Sequence, residues 1–182
     1  SGAEMGSSNT APGRQMRIHL WYPAFNQGRQ MRFEEYVWEL ARDLDFTWMM
    51  TDDIKRKAIR EFVEIFKDRF GNDTLTFDMI KPMLQARMIA SRDLNPAKGK
   101  FPVVIFPCLK PTVEASFIAE YLASHGFVVA SLSVKGTDSN QPEASVRGLT
   151  SQAQDISFAL SEIKKLPFAD LEKIGLMGAG VS

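Results

Sequence analysis

Few residues in this chain could carry chemistry, and they are scattered. The one cysteine is Cys108, the two histidines are His19 and His125, and the last five residues are the small-residue run Gly178-Ala179-Gly180-Val181-Ser182. Cys108 ends an apolar stretch and Lys110 follows it, so a thiolate favoured by a nearby cation is its reactive reading. A thiol nucleophile also needs a base, and neither histidine is expected close to it. A small buried core residue is the alternative for Cys108, and His19 and His125 read as structural. Asp138 and Ser139 follow Gly136-Thr137 in a polar stretch, where a site lining and ordinary loop polarity explain them equally well. The glycine-rich run, coming after the apolar Ile174–Met177, matches the opening of G-x-G-x-x-G, in which glycines let a pyrophosphate approach a helix N-terminus. Its third glycine, its helix and its ribose-binding acid would fall past Ser182, so no cofactor is assigned. One cysteine excludes an internal disulfide and a multi-cysteine zinc site, and no metal site is assigned.

These residues must be positioned by elements whose periods change along the chain. Residues 1–15, rich in Gly, Ser, Asn and Pro, read as a flexible arm. In Met16–Tyr22, Ile18, Leu20 and Tyr22 alternate with polar or aromatic neighbours, the period of an edge strand that Pro23 ends. From 33 to 91 the period is helical. Phe33, Val37, Leu40, Ala41 and Leu44 share one face; Asp52 caps a second helix with Ile54, Ala58, Phe62, Ile65, Phe66 and Phe70, stopped by Gly71. Thr76 or Asp78 opens a third helix carrying Ile80, Leu84 and Met88, with Pro82 required near its first turn.

From residue 100, strand and helix alternate, the mark of parallel-sheet architecture. Phe101–Phe106 is nearly all apolar, as expected of a strand covered on both faces. A helix over 113–124 ends at Gly126, a strand covers 127–134, Thr150 caps a helix carrying Ala153, Ile156, Leu160 and Ile163, and a strand covers 174–177. The expected fold class is α/β, a mostly parallel sheet flanked by helices, with the 33–91 helical segment set between the first strand and the parallel ones.

Composition removes several classes of partner. Lys plus Arg and Asp plus Glu both total 22, a formal net charge of zero, so no field draws the chain to nucleic acid or an anionic membrane. The 45% hydrophobic content supports a real core, yet no apolar run reaches the roughly 20 residues of a transmembrane helix. The opening Ser1-Gly2-Ala3-Glu4 lacks a signal pattern, and the compartment is left open.

Five stretches carry a family resemblance. Ile18-His19-Leu20-Trp21-Tyr22-Pro23-Ala24, Phe101-Pro102-Val103-Val104-Ile105-Phe106, Tyr121-Leu122-Ala123-Ser124-His125-Gly126-Phe127-Val128-Val129-Ala130, Gln154-Asp155-Ile156-Ser157-Phe158-Ala159-Leu160 and Lys173-Ile174-Gly175-Leu176-Met177-Gly178 occur in that order. Together they resemble the platelet-activating-factor-acetylhydrolase-like and dienelactone-hydrolase-like branch of the α/β hydrolases. The resemblance covers most of residues 16–182 and is poorer over 33–91. It implies a truncated α/β-hydrolase fold as one domain over 16–182, related to carboxylic-ester hydrolases.

In that family the nucleophile sits on a strained strand-to-helix turn, G-x-S-x-G, that exposes a serine hydroxyl. The aligned turn here puts Gly180 at the nucleophile position and Ser182 at the closing glycine. A second register takes Gly180-Val181-Ser182 as the first three motif residues, making Ser182 the nucleophile at the cost of a longer strand. The oxyanion-loop positions fall on Cys108, Leu109 and Val181; Cys108-Leu109 stand where relatives carry His-Gly. The histidine and acid of a triad would come later in the chain order. The expectation is therefore an esterase-like chain with no intact catalytic residue, facing a small acyl ester or lipid-like ligand. Phe46, Trp48, Met49 and Met50 give the helical segment an apolar turn that could serve as a lid over an acyl pocket, or simply pack on the sheet. The alternative is a non-catalytic module that associates, as a homo-oligomer, through an exposed last strand.

Overall fold

A computed structural model describes residues 15–25, 28–45, 49–134 and 144–178, with the side chains of 43–45 excepted. The residues expected to form the N-terminal arm (except Gln15), Phe46, Trp48, Asp138, Ser139, and the turn residues Gly180, Val181 and Ser182 lie outside the described residues. Its elements are β1 (Ile18–Trp21), β2 (Gln30–Arg32), α1 (Phe33–Asp45), α2 (Asp52–Phe70), α3 (Phe77–Leu84), β3 (Arg87–Ser91), β4 (Phe101–Cys108), α4 (Pro111–Ser124), β5 (Val128–Ser133), α5 (Val146–Ile163) and β6 (Ala169–Leu176). They divide into two compact units, one running up to Gly28 and resuming at Ser91, the other Arg29–Ala90.

The first unit holds a four-stranded sheet in the order β1-β5-β4-β6. β4 pairs parallel with both β5 and β6, and β1 joins β5 antiparallel at the edge, as its alternating sequence predicts. The sheet is thus mostly parallel and flanked by helices. The chain passes from β4 to β5 on one side and from β5 back across β4 to β6 on the other. Right-handed crossovers in opposite directions place α4 and α5 on opposite faces.

Strand alternation sorts the side chains between those faces. Leu20, Val103, Ile105, Val128, Ala130 and Leu132 join Ala159 and Ile163 of α5 in one buried core. On the other face α4 packs on β5, β4 and β1. There Ala115, Ala119 and Ala123, four residues apart, are buried on α4; their small side chains let the helix lie close to the strands.

β4 holds two prolines although it is central, a place proline ordinarily avoids. Its hydrogen bonds explain why. Ile105 C=O accepts from Met177 N–H on the β6 side at 2.9 Å and Cys108 C=O from Val134 N–H on the β5 side at 2.9 Å. Carrying this alternation along the strand turns the Pro102 nitrogen toward β5 and the Pro107 nitrogen toward β6. Pairing with β5 begins only at Val103 and pairing with β6 ends at Ile105. Neither missing N–H costs a ladder bond.

In the second unit, α1, α2 and α3 pack around Phe33, Val37, Leu40, Ala58, Phe62, Ile80 and Leu84, and β2 pairs with β3. Phe62 packs its ring against Phe33 and Phe66, and Phe66 continues to Phe70. Glu35 ties the start of α1: its carboxylate accepts from both Arg29 guanidinium nitrogens at 2.9 and 2.8 Å and from Arg32 N–H at 2.9 Å. The Arg29 guanidinium is held above its usual value by that hydrogen bond and the carboxylate's charge.

Several boundaries differ from the sequence expectation. Thr51, not Asp52, caps α2, accepting from Ile54 N–H at 3.3 Å, while Gly71 ends the helix with φ 57° as expected. The third helix stops at Leu84, with Pro82 in its last turn, and Met88 lies buried on a strand. Helix α5 starts four residues before Thr150, because Ser145 accepts from Gly148 N–H at 3.0 Å. The last strand reaches back to Ala169 through an irregularity opposite Pro102/Val103, where Asp170 accepts from Glu172 N–H and Lys173.

Candidate functional site at the carboxyl ends of the parallel strands

The strand order reverses between β4 and β6, since α4 leaves β4 on one face and α5 brings the chain to β6 on the other. In open α/β sheets such a switch point opens a crevice beyond the strand ends, where ligands bind. Here it is bordered by Cys108-Leu109-Lys110 after β4 and by Met177-Gly178 after β6.

Cys108 turns away from that crevice. It is 3% exposed, and its Sγ lies 3.4 Å from the Ser131 hydroxyl. Ser131 donates its hydroxyl proton to Phe106 C=O at 2.8 Å, so the thiol is the donor in the sulfur contact. A thiol that gives its proton to a buried hydroxyl is a core group.

The two histidines occupy unequal places. His125 is exposed at the C-cap of α4, with Nδ1 2.8 Å from Tyr121 C=O and its ring 4.2 Å from that of Tyr121. Since α4 has 14 residues and rises about 1.5 Å per residue, His125 sits ~20 Å from the helix start and from Cys108. His19 is buried on β1 and pairs with Ser131, which pairs with Phe106. On the face that carries Cys108, the order across the sheet is therefore His19, Ser131, then β4. His19 is thus packed within the sheet, and His125 lies at the end of α4 remote from Cys108.

The loop after β4 is latched from three directions. Val134 N–H holds Cys108 C=O, the Ser133 hydroxyl donates to Leu109 C=O at 3.2 Å, and Lys110 N–H donates to the Glu114 carboxylate at 3.2 Å. The trans peptide that points Cys108 C=O at β5 turns the Leu109 N–H the opposite way, toward the β6 side of the crevice. Pro111 offers no donor. Of the three positions read from the sequence as an oxyanion loop, Leu109 directs its backbone N–H toward the β6 side, Cys108 is packed in the core, and Val181 lies outside the described residues. Thr112, the second residue of α4, is 1% exposed, and its Oγ1 has no partner among the described residues.

Sequence reasoning missed Ser131, Ser133 and Glu114. A signal existed in β5, where serine at 131 and 133 interrupts an apolar strand on one face only. The Glu114 carboxylate returning to the N-cap of its own helix is a capping pattern one residue longer than the usual spacing, and Pro111 masks it. Among the described residues no three His, Cys, Asp or Glu side chains gather as a metal site, and no helix is long and apolar enough to cross a membrane.

Neither a family model nor a curated protein matches this chain. Among solved structures it is similar to a ferulic acid esterase from Streptomyces cinnamoneus, with TM-score 0.55 and 15% sequence identity over 93% of this chain and 46% of the esterase. The chain therefore spans about half the length of that enzyme. At this identity the likeness is one of fold alone: the architecture is α/β, a mostly parallel sheet flanked by helices.

Proposed function

We propose that this chain carries the scaffold of a carboxylic-ester hydrolase, of the platelet-activating-factor-acetylhydrolase-like and dienelactone-hydrolase-like kind, with no nucleophile at the position where that scaffold presents one. The supporting observation is the switch-point crevice, where β6 ends at Leu176, Met177-Gly178 follow, and the Leu109 N–H turns toward that side; in the sequence Ala179 and Gly180 come next. In G-x-S-x-G the central residue supplies the attacking oxygen and a backbone N–H steadies the oxyanion that forms. Gly180 has no side chain to attack with. The crevice is left with a backbone donor suited to the carbonyl oxygen of a small acyl ester or lipid-like ligand. The test is hydrolysis of p-nitrophenyl acetate and butyrate by the purified chain. Release at the rate of a heat-denatured control is expected; turnover clearly above it, abolished by Ser182→Ala, would place the nucleophile at Ser182 instead.

A second reading is favoured by β6 itself. It lies at the edge of the described sheet, and its Leu171, Ile174 and Leu176 are exposed, Leu176 at 64%. Strands of a mostly parallel sheet are ordinarily covered on both faces, and an open apolar edge recruits another strand. On this reading the chain is an assembly module that pairs through β6. Light scattering across a hundredfold dilution series decides it, and a strictly monomeric mass at every concentration excludes it.

A further inference from the structure

Between β1 and β4 the polypeptide leaves the sheet, builds three helices, and returns beside the point where it left. The described outgoing residues, 22–25 and 28–33, meet the returning residues 86–97 at several points. The Tyr22 hydroxyl donates to Leu94 C=O at 2.7 Å, Ala97 N–H to Pro23 C=O at 2.8 Å, and Ala24 bridges Pro96 antiparallel. Further out β2 pairs with β3, and Phe33 N–H donates to Ala86 C=O at 3.0 Å. Gly28 lies between these two groups of contacts. A Cβ there would meet Leu94 Cδ2 and the Ser91 Cβ at 3.1 Å, tighter than ordinary van der Waals contact. The two segments pass closely there, so a larger residue at position 28 would require Leu94 or Ser91 to give by a few tenths of an ångström.

We infer that residues 29–90 are an independently cooperative module, inserted into the sheet unit through one closed neck with Gly28 as its tight point. Three features carry this. The helices enclose their own core, centred on Phe62, which is fully buried. The module's ends are joined by its own strands, β2 and β3, so its closure does not require the sheet. The sheet unit holds residues 22–24 and 94–97 together by its own bonds, so its closure does not require the module. Segments that satisfy their own contacts in this way open as separate units in the native state. The inference does not depend on the esterase reading, and it gives residues 29–90 a means of opening while the sheet stays folded.

Hydrogen exchange read by mass spectrometry on the full chain, with two core variants, tests it. Phe62→Ala is expected to speed exchange of the α1 and α2 amides at least about tenfold and leave β4 and β5 within about twofold; Ile105→Ala is expected to do the reverse. Should either variant speed both groups together, the chain is one cooperative unit and the inference fails. If Phe62→Ala leaves no protection in α2, the β4 and β5 amides still give the answer, and Phe62→Leu supplies a milder perturbation. Gly28→Val separately tests the neck. The Ala97 amide should exchange at least about fivefold faster with both cores unchanged, and an unaltered Ala97 amide would show that Gly28 is not the tight point.

Discussion

Ser131→Ala is the most informative single perturbation of the candidate site, because one hydroxyl joins two strands there. Ser131 donates to Phe106 C=O at 2.8 Å and receives the Cys108 thiol at 3.4 Å, fully buried under α4. Truncation removes a hydroxyl-to-carbonyl bond worth about 1 kcal/mol net, leaves a buried thiol without this acceptor, and adds little cavity because only one oxygen is lost. The sum is ~2 kcal/mol, a factor of about 30 in the opening constant of the sheet unit. Cys108→Ala removes the thiol itself, so in that background Ser131→Ala should cost less by about 0.5–1 kcal/mol, the coupling of a contacting pair. The assay is hydrogen exchange of the β4 and β5 amides in the single and double variants, since a chain of two units does not promise a two-state melt. An increase below about threefold in Ser131→Ala, or strict additivity with Cys108→Ala, would refute the hydroxyl's role.

Three further outcomes follow from named contacts. Asp170 is held below the usual carboxylate range chiefly by its hydrogen bond from Lys173, and also by Glu172 N–H. Its contribution is therefore present above the unfolded carboxylate value of about 4 and is lost as pH falls through the lower folded value; Asp170→Asn should remove that part of the acid dependence of β6 exchange. Ser145→Ala should destabilise the start of α5 by about 1 kcal/mol and Thr150→Ala by clearly less, measured by exchange of the first-turn amides, because Ser145 holds the cap. Gly71→Ala forces a side chain into φ 57° and should cost about 1 kcal/mol in denaturant unfolding of the helical unit, whereas an unchanged midpoint would mean that α2 ends differently.

The period of the apolar residues made the sheet unit legible. Ile18, Leu20 and Tyr22 alternate as an edge strand must, and β1 is that edge; the apolar run from Phe101 became the central strand. What stayed hidden depends on partners distant in sequence. Gln30–Arg32 is too short and polar to read as a strand until Arg87–Ser91 lies beside it, and Met88, which fits a helical face by spacing, is buried on that returning strand. Caps were misplaced by one or a few residues because Thr51 and Asp52, or Ser145 and Thr150, are chemically interchangeable there, and backbone geometry decides. At the site, the position of Leu109 just after the first parallel strand could be read from sequence. The direction of the Leu109 N–H could not, since it follows from Cys108 C=O bonding to Val134 N–H across the sheet.

That direction bears on what the crevice can do. Several side chains near it are committed elsewhere: Cys108 to Ser131, the Ser133 hydroxyl to Leu109 C=O, and Glu114 to Lys110 N–H. On the proposed reading a ligand there would meet peptide groups such as the Leu109 N–H, which bind a carbonyl oxygen or an oxyanion without supplying a proton acceptor. Binding and bond cleavage are separable on such a surface. On the proposed reading a serine at position 180 would supply an attacking hydroxyl, and a hydroxyl with no general base beside it remains a poor nucleophile. Gly180→Ser alone is accordingly expected to leave hydrolysis of p-nitrophenyl acetate at the background rate. Turnover appearing in that variant would mean that a general base lies near the turn, and then either His19 is more than a structural group or another side chain takes the proton.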